Sequence, residues 1–427
     1  MKKLNEPNSV FCPLPWKHLS IEANTLNFKL CCVSEFSLAD ESNNFNLLQK
    51  TTTTVFQSQT LKDIRKNMLC GKVNKQCTAC YSEESVGAFS MRQFYLDAYP
   101  HDWDHLSQNA PKDGSWDQPV THLELRLGNL CNLKCIMCHP SSSSSFTDYK
   151  LIYDQDTDVI NNHDSSKLLE ENNFDFMISQ LQNLEAITFR GGEPLINPAH
   201  FKILELLKST GQSSAISLSY TTNLTQLPDR LLDLWKKFKS VEIWVSVDGT
   251  DEVNHFIRFP SSWNVLTKNL EKLDKWAQEA PDLNWGVVTT AQAYNVMYID
   301  EVFNLVKPYS TAYKTPFINH LQNPKVLSFG NLSQNLIEIS IERLRKALIN
   351  YTSDQKTISA RDQKIRFIKR HAEKELACIK RLENLIYLLE KCRIEATQTT
   401  NQDLKYLTEK IARVRKISIP TKISSLF

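Results

Sequence analysis

The segment Cys131-Asn132-Leu133-Lys134-Cys135-Ile136-Met137-Cys138, here named the cysteine loop, carries three thiols on eight consecutive residues. Just before it, residues 122–127 alternate apolar and polar side chains, a pattern that predicts a β-strand. Thiolates are soft ligands that favour iron–sulfur clusters or zinc over harder cations. Because a cubane cluster has four irons, three thiolates would leave one iron open to another ligand.

A second motif, Gly191-Gly192-Glu193, directly follows the apolar segment 186–190, which also predicts a strand. Two adjacent glycines at a strand end allow a ligand to lie against bare backbone, and Glu193 adds a negative charge there. An ordinary strand-to-helix turn would account for the glycines alone. The motif is more specific in combination with the cysteine loop, which precedes it by one predicted helix.

The spacing C-x3-C-x2-C, the phrase Cys-Asn-Leu-Lys-Cys and the later Gly-Gly-Glu-Pro resemble the radical S-adenosylmethionine (SAM) superfamily. The resemblance implies an enzyme in which Cys131, Cys135 and Cys138 hold a 4Fe-4S cluster that binds SAM. Reduction of this cluster would cleave SAM to a 5′-deoxyadenosyl radical, which abstracts a hydrogen atom from the substrate. An electron donor such as flavodoxin or ferredoxin is implied as a partner. Met137 stands where the family often has an aromatic residue, and it supplies an apolar contact there.

The resemblance also implies which residues bind SAM. The Gly191-Gly192-Glu193 motif would hold the ammonium group. Asn223, Ser246 and Asp248 lie at the ends of predicted strands, where they would bind ribose hydroxyls or the carboxylate. Arg258 resembles the arginine that many members with an auxiliary cluster place after a Ser-x-Asp-Gly segment, and a guanidinium fits a carboxylate. Turn formation is the alternative for the Asn and Asp residues, and an exposed side chain is the alternative for Arg258.

From residue 121 onward, predicted strands alternate with predicted helices, which indicates a parallel sheet with right-handed crossovers. The predicted fold class is α/β, with a partial (β/α)6 barrel over residues 121–332. A complete eight-unit barrel would need about 250 residues, more than this segment offers. The predicted strands are 121–127, 186–190, 215–222, 241–247, 284–290 and 312–318. The predicted helices are 166–182, 199–209, 228–238, 263–279, 298–306 and 333–349.

A hairpin and a helix are predicted within residues 1–95, a cysteine-rich segment that we predict to be a separate N-terminal domain. The hairpin ends at the pair Cys31-Cys32 and turns at Asn24 or Asn27, residues that tolerate a positive φ. The helix is predicted near residues 59–67, before a C-x2-C motif whose two sulfurs can reach one metal ion.

This layout resembles the SPASM or twitch auxiliary-cluster domain of radical SAM enzymes, in which Cys-Pro and Trp precede a hairpin, a helix and C-x2-C. The resemblance implies a second iron–sulfur cluster of the 4Fe-4S type, bound by Cys12, Cys77, Cys80 and one of Cys31 or Cys32. In most such enzymes the domain follows the barrel, whereas here it precedes it. Zinc is the alternative, because four thiolates also suit a tetrahedral zinc ion.

Two further segments complete the predicted organisation. Residues 96–120 are predicted to be a connector, and residues 333–427 a helical extension in which apolar residues step by three and four. The extension has an excess of Lys and Arg, interspersed with acidic residues, which indicates a solvated surface. Cys378 and Cys392 lie in this pattern, where they are either buried and inert or hydrogen-atom donors to a radical. Cys70 is a spare candidate ligand.

The 427-residue chain has 11 cysteines and nearly balanced charge, with 50 Lys and Arg against 48 Asp and Glu. No run of about 18 apolar residues occurs, so no membrane span is predicted. The first residues also lack the apolar core of a signal peptide. Close cysteine pairs in such a chain indicate metal binding in a reducing cytoplasm rather than disulfides. We predict neither a membrane nor a nucleic acid as a partner.

No motif defines the substrate. Enzymes with the resembled auxiliary domain modify ribosomally made peptides or proteins, or act on small polar molecules, and we predict a peptide or protein substrate. Radical oxidation, epimerisation or rearrangement of a small sugar-like or nucleotide-linked molecule is the alternative. A third hypothesis is a zinc-stapled or electron-transfer protein without SAM chemistry. The Gly-Gly-Glu motif and the six β/α units argue against it, because neither is needed to staple a fold.

Overall fold

The computed structural model describes residues 8–155, 174–358, 365–395 and 401–427, apart from 23, 24, 35, 41, 42, 175, 178, 182 and 322. These residues form a mixed α/β fold with eight strands, which divides into two compact units. The first unit comprises Met1–Leu130, Asn162–Tyr220 and Lys237–Ser240. The second unit comprises Cys131–Asn161, Thr221–Lys236 and Val241–Phe427.

The first unit is built on five strands: β1 (His18–Glu22), β2 (Asn27–Lys29), β3 (His122–Arg126), β4 (Ala186–Arg190) and β5 (Ser217–Thr222). An antiparallel hairpin joins β1 to β2, as the sequence predicted. The positive φ of +57° falls on Leu26, whereas Asn27 already belongs to β2 and Asn24 is outside the described residues. The remaining pairs are parallel, β1 with β3, β3 with β4, and β4 with β5. Parallel strands need both faces covered, and β1 and β3 are accordingly mostly buried.

The pairing of β1 with β3 joins the cysteine-rich segment to the first strand of the predicted barrel. Leu19 and Ile21 of β1 are almost completely buried, so their burial depends on this shared sheet. Sequence analysis predicted a separate domain that ends at residue 95 and a connector that ends at residue 120. Neither boundary coincides with a boundary of the compact units.

Short helices follow the hairpin. Ser58 begins one of them by accepting a hydrogen bond from the Leu61 backbone N–H, and Ser90 begins another with a capping box completed by Gln93. The sequence predicted the helix near residues 59–67, but it missed the helices within and around the predicted connector. The helices between the hairpin and β3 are α1 (Thr52–Phe56), α2 (Gln59–Leu69), α3 (Thr78–Ser85), α4 (Met91–Ala98) and α5 (Asp102–Asn109).

The second unit contains three parallel strands, β6 (Ser240–Ser246), β7 (Leu283–Ala291) and β8 (Phe317–His320). The first two agree with the predicted strands. The last strand begins five residues later than predicted, because Pro316 has no backbone N–H to donate to a neighbouring strand. Only one isolated bridge, between Trp285 and Ala312, forms in the preceding predicted segment.

The helices between and after the strands follow the predicted pattern. The helix between β4 and β5 begins at Pro198, after Asn197 caps it by accepting from the Ala199 N–H. The predicted helix 166–182 lies largely outside the described residues. The helices are α6 (Tyr149–Tyr153), α7 (Pro198–Ser209), α8 (Arg230–Trp235), α9 (Asp251–Ile257), α10 (Trp263–Glu279), α11 (Ile299–Val306), α12 (Gln334–Ile358), α13 (Ile365–Glu395), α14 (Asn401–Arg415) and α15 (Thr421–Ser424).

The C-terminal extension is helical, as the sequence predicted, with three long helices and one final turn. Helix α13 contacts both α12 and the edge strand β8. Its Arg381 donates to the Ile318 carbonyl oxygen at 3.2 Å, and its guanidinium lies 4.1 Å from the centre of the Phe317 ring. The alternation of strands and helices is therefore confirmed, whereas closure into a partial barrel remains a prediction. Among the described residues, no helix is both long enough and apolar enough to cross a membrane.

Candidate active site

The cysteine loop is held by backbone hydrogen bonds to the segment that carries Arg258. The Lys134 N–H donates to the Phe259 carbonyl oxygen at 2.6 Å, and the Ile136 N–H donates to the Ile257 carbonyl oxygen at 2.9 Å. The two bonds use every second residue of the loop, as in a short pairing between two extended segments. They bring the guanidinium of Arg258 next to the thiols.

Three serines that follow the loop also bind its backbone. Ser143 Oγ donates to the Leu133 carbonyl oxygen at 2.5 Å, and Ser145 Oγ donates to the Cys131 carbonyl oxygen at 2.6 Å. The Cys131 N–H donates in turn to Ser144 Oγ at 3.2 Å. From the sequence, a solvated turn is expected for these serines, with a helix cap as the alternative. Five consecutive serines directly after the cysteines were the available signal.

Two of the three thiols already interact with each other. A hydrogen bond between Cys135 and Cys138 raises the pKa of the Cys135 thiol and lowers the pKa of the Cys138 thiol. Cys131 is close enough to Cys138 to raise the pKa of the latter. In the described part of the chain, no three His, Cys, Asp or Glu side chains are gathered closely enough to hold a metal ion. The fit of a cluster to this loop therefore rests on its donor set of three neighbouring thiols.

A buried ion pair lies beside these thiols. Arg258 Nε is 2.7 Å from Asp248 Oδ2, and the two side chains are 11% and 0% exposed. Arg258 Nη1 also lies 3.8 Å from Cys135 Sγ. Burial alone would lower the pKa of Arg258, but Asp248 and the two thiols Cys135 and Cys138 more than reverse this effect and raise it. The guanidinium is therefore a permanent positive charge at the place where thiolates would form.

Asp248 is itself held in place by β7 and by the loop after it. Its Oδ1 accepts the Thr290 N–H at 2.7 Å, and its carbonyl oxygen accepts from Asn295 Nδ2 at 3.1 Å. Ser246 ends β6 two residues earlier and is buried. The structure thus brings Asp248 and Arg258 together with the cysteine loop. Their contact with SAM remains a prediction.

Asn223, after β5, also contacts the cysteine loop. Its Nδ2 donates to Asn132 Oδ1 at 3.0 Å and lies 3.9 Å from Cys131 Sγ. Its Oδ1 accepts from the Thr225 N–H at 2.9 Å, while Asn132 Nδ2 donates to Thr225 Oγ1 at 2.8 Å. This network fixes the first residues of the loop. The predicted contact of Asn223 with SAM is not tested by it.

The Gly191-Gly192-Glu193 motif belongs to the first unit, where it packs against the residues that precede the cysteine loop. A Cβ atom on Gly192, which has a φ of +54°, would lie 2.2 Å from the Leu130 carbonyl oxygen. The Glu193 N–H donates to that same oxygen at 2.8 Å. Close backbone approach therefore explains the glycines, and Leu130 is covalently joined to Cys131. Whether the motif binds an ammonium group remains a prediction.

One candidate residue was missed by sequence analysis. Gln292 follows β7 and is completely buried, yet neither atom of its amide group has a hydrogen-bond partner among the described residues. Its backbone N–H donates to Asn295 Oδ1 at 2.8 Å, and Asn295 also binds Asp248. A buried amide without partners costs about 1–3 kcal/mol, and a bound ligand, water or ion is one of its ordinary explanations. This orphaned amide fits a site that binds a polar ligand.

The cysteines of the N-terminal segment form a second group, entirely within the first unit. Burial raises the pKa of five of the six thiols in this segment, and several of these five thiols raise one another's pKa further. Cys70 is exposed and is not among them. We refer to these residues as the auxiliary cysteines: Cys12, Cys31, Cys32, Cys77 and Cys80.

Two arginines compensate the charge that the auxiliary cysteines would carry as thiolates. Arg92 lowers the pKa of Cys12, while its Nη2 lies 2.5 Å from Glu84 Oε2. Arg190 lowers the pKa of Cys32, and its Nε is 3.3 Å from the buried Glu124. Such cations suit a thiolate-ligated metal centre, although they do not distinguish iron from zinc.

The match to a known protein family falls on the segment that carries the cysteine loop and the ion pair beside it. Residues 125–276, which include the cysteine loop, Asp248 and Arg258, match the model of the Radical SAM superfamily. This segment is therefore similar to a radical SAM domain, in agreement with the predicted enzyme class. The auxiliary cysteines lie outside the matched residues.

Several known proteins are similar to parts of the chain. The uncharacterized protein MJ0907 of Methanocaldococcus jannaschii is 25% identical over 183 residues, which are 43% of this chain and 57% of that protein. The structure of native anSMEcpe with bound AdoMet is 15% identical, with a TM-score of 0.38, over 56% of this chain and 63% of that chain. The structure of Streptococcus suis SuiB bound to precursor peptide SuiA is 15% identical, with a TM-score of 0.34, over 69% of this chain and 63% of that chain. The chain spans less than two thirds of the length of each of these proteins.

Proposed function

We propose that this protein binds a 4Fe-4S cluster through Cys131, Cys135 and Cys138, and that it cleaves SAM reductively to start radical chemistry on a substrate. The observation that carries the proposal is the cysteine loop itself, whose Cys135 and Cys138 thiols shift each other's pKa beside the Arg258 guanidinium. The cluster would supply the electron that breaks the carbon–sulfur bond of SAM. A reduced flavodoxin or ferredoxin would supply that electron in the cell.

The residues around the loop would position SAM and keep water out. Arg258 offers a planar guanidinium that matches a carboxylate, and Asp248 fixes its orientation. The almost complete burial of both side chains strengthens their electrostatic effect on a bound ligand. Gln292 adds an amide that can donate and accept hydrogen bonds at the same time. These residues perform orientation and charge compensation, while the cofactor performs the bond cleavage.

The auxiliary cysteines are proposed to bind a second 4Fe-4S cluster. Four ligands are needed, and Cys12, Cys77, Cys80 and one of Cys31 or Cys32 supply them. The shared burial of these thiols, with two arginines beside them, supports this assignment. A zinc ion bound by the same residues is the competing assignment.

The proposed substrate is a ribosomally made peptide or protein. This choice rests on the resemblance to enzymes with an auxiliary-cluster domain. A small sugar-like or nucleotide-linked molecule, which would be oxidised, epimerised or rearranged, is the competing substrate. The distant alternative is a zinc-stapled or electron-transfer protein, and the match to the superfamily argues against it.

The first experiment replaces the three cysteines of the loop with alanine in one variant. We expect anaerobically reconstituted wild-type protein to form 5′-deoxyadenosine from SAM and dithionite, and the triple variant to form none. The matched control is Cys70→Ala, because Cys70 is exposed and belongs to neither group of thiols. Deoxyadenosine production that persists in the triple variant would sink the proposal.

A second experiment identifies the substrate class. Cell extract from a culture grown in deuterium oxide is divided by ultrafiltration into large and small molecules, and each fraction is incubated with the enzyme and SAM. Hydrogen abstraction from a substrate transfers deuterium into 5′-deoxyadenosine, which mass spectrometry detects. Transfer that protease treatment of the extract abolishes supports a peptide or protein. Transfer from a protease-resistant small-molecule fraction supports the competing substrate.

A further inference from the structure

The last residue of α14 reaches back to the cysteine loop. Arg415 Nη2 donates to the Lys134 carbonyl oxygen at 2.6 Å, and its Nε lies 3.3 Å from Asp148 Oδ2. The Arg415 side chain is 0% exposed. Lys134 is the residue immediately before Cys135, so this contact is made within the C-x3-C spacing.

The guanidinium of Arg415 is enclosed by aromatic rings. Its central carbon lies 5.4 Å from the ring centre of Phe146 and 5.4 Å from that of Phe259. The Phe259 carbonyl oxygen accepts the Lys134 N–H. Lys134 is therefore held by both of its backbone polar groups, one bound to Phe259 and the other to Arg415.

Asp148 completes this arrangement. Its Oδ2 lies 3.6 Å from Lys134 Nζ as well as close to Arg415. The Asp148 side chain is 10% exposed. A buried arginine with one carboxylate and one carbonyl partner is costly to form, and fixing a conformation is one reason for which some proteins retain such groups. The conformation that Arg415 contacts directly is that of the cysteine loop.

We propose that Arg415 is a positioning residue through which the C-terminal extension holds the cysteine loop in the conformation that binds a cluster. This inference deepens the proposed function and rests on it for the cluster, whereas the positioning of the loop itself can be measured without iron. The sequence pattern predicts only a helical tail with an excess of basic residues for this extension. The contact between Lys134 and Arg415 joins two residues that are far apart in the chain, so no local sequence pattern encodes it.

Arg415 would also influence the cluster by its charge. The structure places it close enough to Cys135 for the two groups to interact electrostatically. Reduction adds a negative charge to a cluster, so a nearby buried cation favours the reduced state and raises the reduction potential. Replacement of Arg415 by a neutral residue should lower that potential.

The first test measures hydrogen–deuterium exchange in the protein without iron. In Arg415→Met, we expect the Lys134 and Ile136 amides to exchange about tenfold faster than in wild type, because a hydrogen bond to a charged group is lost. The amides of β7 provide an internal reference for global stability. The matched control is Lys410→Met on the same helix, since Lys410 pairs with the exposed Asp154 and should not alter exchange in the loop.

The second test measures the reduction potential of the cluster by electron paramagnetic resonance in reconstituted protein. Arg415→Met should lower the potential. Arg415→Lys retains the charge but loses the planar fork, so it should keep the potential near that of wild type while loop exchange still rises. A residue that only stabilised the fold would change neither quantity in the folded protein.

The outcomes separate this inference from the proposed function. Unchanged exchange of the loop amides in Arg415→Met overturns the positioning role, whatever the metal content. If Arg415→Met does not fold, exchange in Arg415→Lys decides in the same way. Wild-type protein that takes up no iron overturns the proposed function, whereas faster loop exchange in the variant still supports the positioning role.

Discussion

Gln292 carries a completely buried amide whose oxygen and nitrogen have no hydrogen-bond partner among the described residues. A group of this kind lowers the stability of the protein whenever nothing binds it. We therefore expect Gln292→Leu to raise the free energy of unfolding of the protein without SAM by about 1–2 kcal/mol, because an apolar side chain of similar size removes the cost. Urea denaturation of the two proteins measures the change.

The control for this substitution is another buried glutamine. Gln76 accepts a hydrogen bond from Ser34 Oγ at 2.8 Å, so its amide has a partner. Gln76→Leu should lower the stability, opposite in sign to Gln292→Leu. If both substitutions destabilise the protein to a similar extent, Gln292 has a structural role and is not kept for a ligand.

His122 makes the stability of the first unit depend on pH. Its ring nitrogens contact the Tyr99 hydroxyl at 3.1 Å and Thr121 Oγ1 at 2.7 Å, and burial lowers its pKa from 6.5 to about 4. The folded state therefore binds fewer protons than the unfolded state between these pH values. The stabilisation is complete above pH 6.5 and is lost as the pH falls towards 4, by about 2–3 kcal/mol at pH 4.5.

This pH dependence is tested with His122→Asn. We expect the difference in unfolding free energy between wild type and variant to shrink by about 2–3 kcal/mol when the pH is lowered from 7.5 to 4.5. His18, whose pKa burial also lowers, is present in both proteins, so only its electrostatic interaction with His122 enters this difference. A difference that does not change with pH would contradict the assignment.

At the scale of elements, the turn after β4 is fixed by a close backbone approach. Ala in place of Gly192 would both adopt a positive φ and collide with the Leu130 carbonyl oxygen. We expect Gly192→Ala to cost about 2–4 kcal/mol of stability. Gly211→Ala is the matched control, because Gly211 has a φ of +75° but open space around the added Cβ, so it should cost only about 1 kcal/mol. Equal losses would mean that the collision is relieved by a small shift.

Elements with a strong local pattern were predictable from the sequence. Residues 263–279 were predicted as a helix, and the structure forms α10 over Trp263–Glu279, because an apolar stripe and the Ser262 cap agree there. The last strand begins later than the apolar pattern predicts, because Pro316 has no backbone N–H to pair within a sheet. Helix α5 was missed because it buries one apolar residue, Leu106, which gives too weak a periodicity to detect.

The candidate site was predictable only where its residues lie in short motifs. The cysteine loop and the Asp248 segment were found by spacing and by position at strand ends. Gln292 and Arg415 were not found, because their roles depend on what surrounds them in space. Gln292 is defined by missing partners, and Arg415 by a contact with a loop more than half the chain away. A single sequence contains no local record of either relation.

At the scale of the whole molecule, the two groups of thiols belong to different compact units. The auxiliary cysteines lie in the first unit and the cysteine loop lies in the second. Each group has its own arginines beside it, Arg92 and Arg190 for the auxiliary cysteines and Arg258 for the loop. Charge compensation is therefore supplied locally within each unit. We accordingly expect the loss of one metal centre to leave the other in place.

Cys77→Ala tests this independence. If the auxiliary cysteines bind a 4Fe-4S cluster, iron should fall from about eight to about four atoms per chain in reconstituted protein, because each cubane holds four. Deoxyadenosine formation from SAM should persist in part, since Cys77 is not in the cysteine loop. Cys70→Ala should retain the full iron content. Iron that remains at the wild-type level in Cys77→Ala would mean that Cys77 is not a ligand. If the wild-type protein instead contains one zinc and about four irons per chain, the auxiliary cysteines form a structural zinc site.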